Sequence, residues 1–424
     1  MRGSMKAKDC CIYVAPFLIA ALYFLVMLNR PVDVNFFMPF RCEYLQLALE
    51  NFGPGIETAH LFDGHMSKFV YWALFGKLFN ISESHMAIYV FELIMWCTAI
   101  VFFSIYVYKC FFSQKIKNFF ICLFLSCLIL LPSITFISDD KYMYAWSIVV
   151  GFPVLFSALK CSDMRERMRN VILLFFICGV ADGMRVCASF PILLPAIALF
   201  FTCAFSLWRN ERRIAISVRS LLVCLLLKFL FTDLIPLSVG LFYNLFCGGN
   251  IRLANFYNSS GWITPFHQLL ISLGWNNSSF DVVYSDDFAL QFDDVDSVKN
   301  RFFELTKEQP FMFLLLIIKK GLYGFYISFS RIKIYLLFSL VLMVFFAVKR
   351  DLLNFIKNFP CKLVLTVVYG LSFVPAVIDI PKEQTVIGAT ALVSLVIFYI
   401  IIYAIDKYLM KGGLLCAEYA DLQK

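Results

Sequence analysis

Charge is what this chain has least of: 16% of its 424 residues are Asp, Glu, Lys or Arg, against about 25% in an ordinary soluble domain. That shortage excludes a water-soluble enzyme of this length, whose surface would need more ionised side chains. The nucleotide motifs GxxxxGK[ST] and GxGxxG are both absent, and the segments between apolar runs on the basic side are too short for a nucleotide-binding domain. A single-chain ATP-driven pump is excluded, and a nucleotide-sugar enzyme with its own cytoplasmic domain is disfavoured. No Cys-x-x-Cys pair occurs among the 15 cysteines; most lie inside apolar runs, where cysteine acts as a small hydrophobe. Cys42 and Cys247 fall on one side of the chain's expected topology and are candidates to pair.

What is present is apolar sequence. Hydrophobic residues make up 61% of the chain, where about 45–50% is usual. Runs of near span length recur, each about enough to cross a ~30 Å hydrocarbon layer. The expected spans are 11–29, 85–108, 119–137, 143–159, 170–182, 186–208, 220–246, 334–348, 363–381 and 387–405, with shorter pieces at 67–79 and 310–330 left open. The fold class is therefore all-α: a polytopic transmembrane helix bundle of about ten or more spans with juxtamembrane helices on its outer face. The first run is too long for a signal-peptide core and no Ala-x-Ala site follows, which predicts a retained span.

Basic residues that flank spans stay on the cytoplasmic side. With "MRGSMKAKD" inside, the segments "KCFFSQKIKN", "KCSDMRERMRN", "RNERRIAISVRS", "KRDLLNFIKNFPCK" and the C-terminal tail collect more than half of the Lys and Arg. Both termini are then cytoplasmic, and the net charge of +8 requires no nucleic-acid partner. Residues 1–246 form an N-terminal transmembrane module with a first outer loop at 30–84; 247–333 are an outer acidic loop with juxtamembrane helices; 334–424 are C-terminal spans and a tail. The Asn-x-Ser triplets at Asn80, Asn258, Asn276 and Asn277 fall outside. Two long outer segments over a rigid bundle predict that function sits on that face.

In the first loop, Tyr44, Ala48 and Phe52 recur at helical spacing with Glu43, Gln46 and Glu50 on another stripe, an amphipathic interfacial helix. In the second, "SVKNRFFELTKEQ" reads as a helix capped by Asp296 or Ser297, and Pro310 opens an apolar helix. Lys319 and Lys320 interrupt that helix, so it is expected along the surface or entering obliquely, its ammonium groups snorkelling to lipid phosphates.

Ionisable groups inside spans are costly and mark sites by default. Glu92 lies about two turns into its span. Asp182 and Arg185, three apart, are expected to pair, while Lys228 and Asp233, five apart, should find different partners. Asp139 and Asp140 occupy a short outer turn, and His60, His65, His85 and His267 all fall outside. "HLFDGH" matches no standard metal spacing, so His60 and His65 are read as interfacial hydrogen-bonding groups and no metal is assigned.

Four segments together resemble the GT-C superfamily of membrane glycosyltransferases, in the branch of protein mannosyltransferases and lipid-A aminoarabinose transferases. "RCEYLQLALENF" is similar to the family's acidic pattern after the first helix, and "SKFVYWALFGKLFNISESHMAIYVF" to its run into the next span. "LPSITFISDDKYMYAW" stands where relatives carry a second acid, and "GVADGMRVCASFPILLPAIALF" looks like their broken crossing. Cys42 stands where the family has the Asp of an Asp-Glu pair, and Ser67-Lys68 where it has Pro-Pro.

The resemblance implies an inverting, hexosyltransferase-like reaction. A sugar passes from a polyprenyl-phosphate donor to a glycan or lipid acceptor such as O-antigen or lipopolysaccharide, on the periplasmic face of a bacterial inner membrane, without a cofactor. It implies Glu43 as base, with Asp33, Asp139 and Asp140 as further acids. Such chemistry needs a carboxylate at the acceptor hydroxyl and cations at the departing phosphate. Lys319, Lys320 and Arg331 suit the second need, with Glu92, His60, His65 and Arg185 as further substrate contacts. The competing classes are an O-antigen polymerase, against which stand eight acids and three bases between Asp281 and Glu308, and a lipid-linked glycan transporter, for which a repeat with matched broken helices is expected.

Overall fold

The computed structural model describes residues 7–30, 66–112, 115–134, 142–185, 188–211, 214–235, 295–329, 332–358, 362–378 and 383–410, with positions 238, 241 and 245. Among the described residues every regular element is helical. Among the described residues, five helices are long and apolar enough to cross a membrane: Ser84–Cys110, Met143–Lys160, Phe190–Arg209, Pro310–Ser328 and Val386–Leu409. Shorter apolar helices occupy Ile12–Leu28, Lys117–Leu128, Lys333–Val348 and Lys362–Val377.

We number the elements α1 (Ala7–Leu28), α2 (Met66–Leu78), α3 (Ser84–Phe111), α4 (Ile116–Ile134), α5 (Met143–Lys160), α6 (Met164–Met184), α7 (Phe190–Glu211) and α8 (Ile214–Phe229), the last continued by a π turn at Leu230–Leu234. There follow α9 (Val295–Glu308), α10 (Pro310–Ser328), α11 (Lys333–Val348), α12 (Leu352–Asn358), α13 (Lys362–Leu371), α14 (Val374–Ile378) and α15 (Glu383–Ala404), with a second π turn at Ile405–Leu409. Local chemistry sets several boundaries. Asp163 caps α6 by accepting from the Arg165 N–H at 3.0 Å, satisfying one of the helix's orphan donors. Asn80 takes φ 53° just after α2, a left-handed turn that asparagine tolerates. Pro310 stands in the first turn of α10, as expected, where its missing N–H costs nothing. Helix α9 covers Val295–Glu308, so Asp296 and Ser297 are helical residues.

Register follows from contacts between neighbours. Helices α1 and α3 are antiparallel, the Tyr89 hydroxyl donating to the Met27 carbonyl at 2.6 Å and Lys109 lying over the Tyr13 ring. Helices α3 and α5 are parallel, joined by Trp146 Nε1 to the Met95 carbonyl at 2.9 Å and by Lys160 Nζ to the Cys110 carbonyl at 3.1 Å. Helix α15 runs beside α5, a Cβ on Gly388 falling 3.1 Å from the Tyr144 carbonyl oxygen. Helix α10 runs parallel to α15, with the Thr390 hydroxyl on the Ser328 carbonyl at 2.9 Å.

The core centres on α5 and α15, where Ala145, Ile148, Val149, Ile387, Ala389 and Leu392 are fully buried. Large apolar side chains such as Phe17, Phe124, Phe201, Leu222 and Leu337 remain exposed on the outside, the distribution a lipid solvent tolerates and water does not. Lys109, Lys160, Arg165, Arg209, Lys349 and Lys407 gather at the end where α3, α5, α7, α11 and α15 finish. At the opposite end, here called the Asp182 end, α1 stops and α3, α5, α7 and α15 start, with Lys228 of α8 beside Asp182.

Candidate functional site

The Asp182 end holds a group of ionised side chains inside an apolar bundle. Helix α6 brings Gly179 and Gly183 against α8 so closely that a Cβ on Gly179 would fall 2.5 Å from the Leu227 carbonyl oxygen, and one on Gly183 2.8 Å from that of Phe231. This is small-xxx-small packing, in which missing side chains let two helix backbones approach. It sets Lys228 of α8 beside Asp182 of α6, with Nζ 2.7 Å from Oδ2 and side chains 17% and 10% exposed.

Asp182 has two further donors. The Ser189 N–H donates to Oδ1 and the Ser189 hydroxyl to Oδ2, both at 2.7 Å. Ser189 is fully buried, and its own carbonyl accepts from Ile192 and Leu193, so it caps α7 while Asp182 anchors the cap. This carboxylate is committed to three donors and fixes the reversal between α6 and α7.

Arg185 ends α6 with its N–H on the Ala181 carbonyl at 2.9 Å. Its side chain turns toward α5, where Nε donates to the Tyr144 hydroxyl at 3.2 Å and the guanidinium lies 5.9 Å from the Tyr144 ring centroid. The expected Asp182–Arg185 pair is therefore corrected: Asp182 pairs with Lys228, and Arg185 with Tyr144. The reason is the α6–α8 approach, which delivers an ammonium group to Asp182 before helical spacing can bring Arg185 round. Lys228 and Asp233 do take different partners, as expected; Asp233 meets the Thr232 hydroxyl.

Lys320 corrects a second expectation. It is fully buried, on the stripe Leu316, Lys320, Gly324, Ser328 that α10 turns inward, so it does not snorkel. A Cβ on Gly324 would lie 3.2 Å from Ala376 and 3.4 Å from Val386, and this close packing turns Lys320, one turn earlier, into the bundle. Lys319 is only partly buried. Val386 stands two residues from Gly388, which packs on Tyr144. Gly324 of α10 and Tyr144 of α5, the partner of Arg185, thus both pack on the first turns of α15.

Glu92 is fully buried on α3, within electrostatic range of Tyr23 on α1 and of Tyr89. One turn further on, the Trp96 ring lies 6.1 Å from that of Tyr142 at the start of α5. Asp33, Glu43, His60, His65, Asp139, Asp140 and Arg331 lie outside the described residues, as do Cys42 and Cys247. Reasoning from sequence missed Lys228 as the partner of Asp182, and missed Tyr144, Ser189 and Ser147, whose hydroxyl donates to the Ala188 carbonyl at 2.7 Å; the Gly-x-x-x-Gly spacing at 179 and 183 was the available signal. Chemically, Arg185 and Lys320 put two cations at one end of an apolar bundle, an arrangement suited to a phosphate. No family model, curated protein or solved structure matches the chain.

Proposed function

We propose that the chain is an integral membrane glycosyltransferase of GT-C type that moves a sugar from a polyprenyl-phosphate donor to an envelope glycan or lipid acceptor. Its bundle is read as one of ten or more crossings, nine of which would be the five long and four shorter apolar helices of the described residues, and its active face is periplasmic. The observation that carries this reading is the pair of buried cations, Arg185 and Lys320, in an otherwise apolar bundle. A cleft of about 280 Å³ lined by Phe325, Phe329, Leu365, Tyr369 and Val393 begins five residues beyond Lys320, about 7.5 Å along the helix. That spacing suits a phosphate at the cations with its hydrocarbon tail in the cleft.

In this reading Asp182 is no base, since its oxygens are already engaged. The base is Glu43, with Asp33, Asp139 and Asp140 as neighbouring acids and Glu92 as a substrate contact. Mass spectrometry of surface and lipid-linked glycans with and without the gene tests the proposal and names the sugar. Glu43→Gln is expected to abolish the modification while the protein keeps its normal abundance in the membrane. A wild-type glycan profile in the gene's absence would overturn the reading.

A further inference from the structure

Between α1 and α3 the outer surface of the bundle opens into a groove of about 600 Å³ walled by Phe17, Phe24, Leu25, Ile94 and Phe102, a volume that holds a ligand-sized molecule. Its depth comes from small residues, Ala20 and Ala21 on one side and Cys97 and Thr98 on the other. The Cys97 thiol reaches the Ala20 carbonyl at 3.2 Å, so the two helices meet at the floor while larger side chains form the walls. The polar atoms of that floor are already engaged. The Thr98 hydroxyl donates to the Met95 carbonyl at 2.6 Å and accepts from Trp146 Nε1 at 3.2 Å. A polar ligand would be desolvated there for no return, and hydrocarbon would not.

One end of the groove is charged. On α1 the stripe Leu25, Ala21, Phe17 continues by one turn to Tyr13. On α3 the stripe Ile94, Thr98, Phe102 continues to Tyr106, stacked on Phe102 with ring centroids 5.7 Å apart, and then to Lys109. Lys109 is exposed, and its Nζ lies 5.2 Å from the Tyr13 ring centroid, a contact that holds the ammonium group at the head of the groove. From Ile94 to Lys109 the helix rises about 22 Å, somewhat over half of a ~30 Å hydrocarbon layer. More bases collect at this end: exposed Lys115 and Lys117 stand where α4 begins, and "MRGSMKAKD" before α1 carries Arg2, Lys6 and Lys8 against Asp9. An apolar track of about one leaflet's depth that ends at cations is complementary to a hydrocarbon chain with an anionic head.

We propose that this groove binds one anionic phospholipid of the surrounding membrane, an acyl chain lying between α1 and α3 and the headgroup phosphate at Lys109. The groove includes none of the residues assigned to sugar transfer, so the site stands apart from the proposed function.

The test is native mass spectrometry of the purified full chain in detergent. Dioleoyl phosphatidylglycerol is the probe, and dioleoyl phosphatidylcholine is the control with the same chains and no net charge. Wild type is expected to retain one phosphatidylglycerol and no phosphatidylcholine. Lys109→Gln should weaken that binding about fivefold, and Lys109→Arg should keep it. Lys349→Gln removes another exposed lysine at the same end, one that lies over the Phe345 ring, and should change nothing. Ala21→Phe fills the groove from an exposed position and should abolish the retained lipid; Ala21→Leu carries the same forecast if Ala21→Phe does not accumulate. The proposal is overturned if wild type retains no phosphatidylglycerol, or retains phosphatidylcholine equally. It is also overturned if Lys109→Gln and Lys349→Gln weaken binding alike, since charge at the basic end alone would then explain it, or if both Ala21 variants bind as wild type does. A preference for farnesyl phosphate over phosphatidylglycerol that Ala21→Phe removes would replace the occupant, and overturns it as well.

Discussion

An aspartate–lysine pair closes each end of the bundle, and the two are built on different principles. At the Asp182 end the partners come from two crossing helices whose backbones touch through glycine, and the carboxylate takes three donors with little exposure. At the basic end Asp351 follows α11 and meets Lys407 at 2.5 Å and the Tyr408 hydroxyl at 2.6 Å, with the lysine side chain 34% exposed. Where water and salt reach a pair, each ion has an alternative partner and the pair is worth little. Where they do not, losing one partner strands the other. The same two residue types are thus a helix lock at one end and a surface tie at the other.

That contrast can be broken experimentally. The largest effect is expected from Lys228→Met, which leaves Asp182 uncompensated and should destabilise the folded chain by about 3 kcal/mol, read by chemical unfolding in detergent; Lys407→Met should change it far less. Equal losses at both ends would remove the distinction. Gly179→Ala comes next: its added methyl meets the Leu227 carbonyl oxygen, and the forced separation of α6 and α8 should cost about 2 kcal/mol. Gly321→Ala, whose Cβ meets nothing within 4 Å, is the matched control and should be neutral or mildly stabilising.

The smallest effect is a pH dependence at the basic end. Hydrogen bonds from Lys407, then from Tyr408, hold the Asp351 carboxyl below its ordinary range. A carboxyl lowered on folding contributes stability that is fully present above its unfolded value and is lost as pH falls through the folded one. Unfolding midpoints of wild type and Asp351→Asn should therefore differ at neutral pH and converge in acid below the ordinary carboxylate range. They should also converge in high salt, which the Lys228 comparison should resist.

Much of the helix layout was legible because hydropathy decides whether a segment can leave water. The expected span at 85–108 became Ser84–Phe111, 143–159 became Met143–Lys160, and 387–405 became Glu383–Ala404. Basic segments chosen by charge alone, around Lys109, Lys160, Arg209 and Lys349, do share one end. The rotation of each helix was not legible. In lipid a leucine-rich face gains nothing by turning inward rather than outward, so periodicity gives no bearing. Lys320 points into the bundle because Gly324 permits a close approach there, and a count of charges cannot show that.

The candidate site divides along the same line. Glu92, Arg185 and Lys320 stood out as charges in apolar sequence, since ionised groups in such runs are rare and costly. Their partners depended on separations that no local pattern encodes: Lys228 lies two helices' worth of chain from Asp182, and Tyr144 lies as far before Arg185. By itself the sequence determined that the chain is helical and apolar, where its helices run, and which few charges are out of place. Only the tertiary structure decided which charge each one meets, because in an apolar solvent that choice is made by backbone fit between helices, residue by residue, and not by the hydrophobic pattern along any one of them.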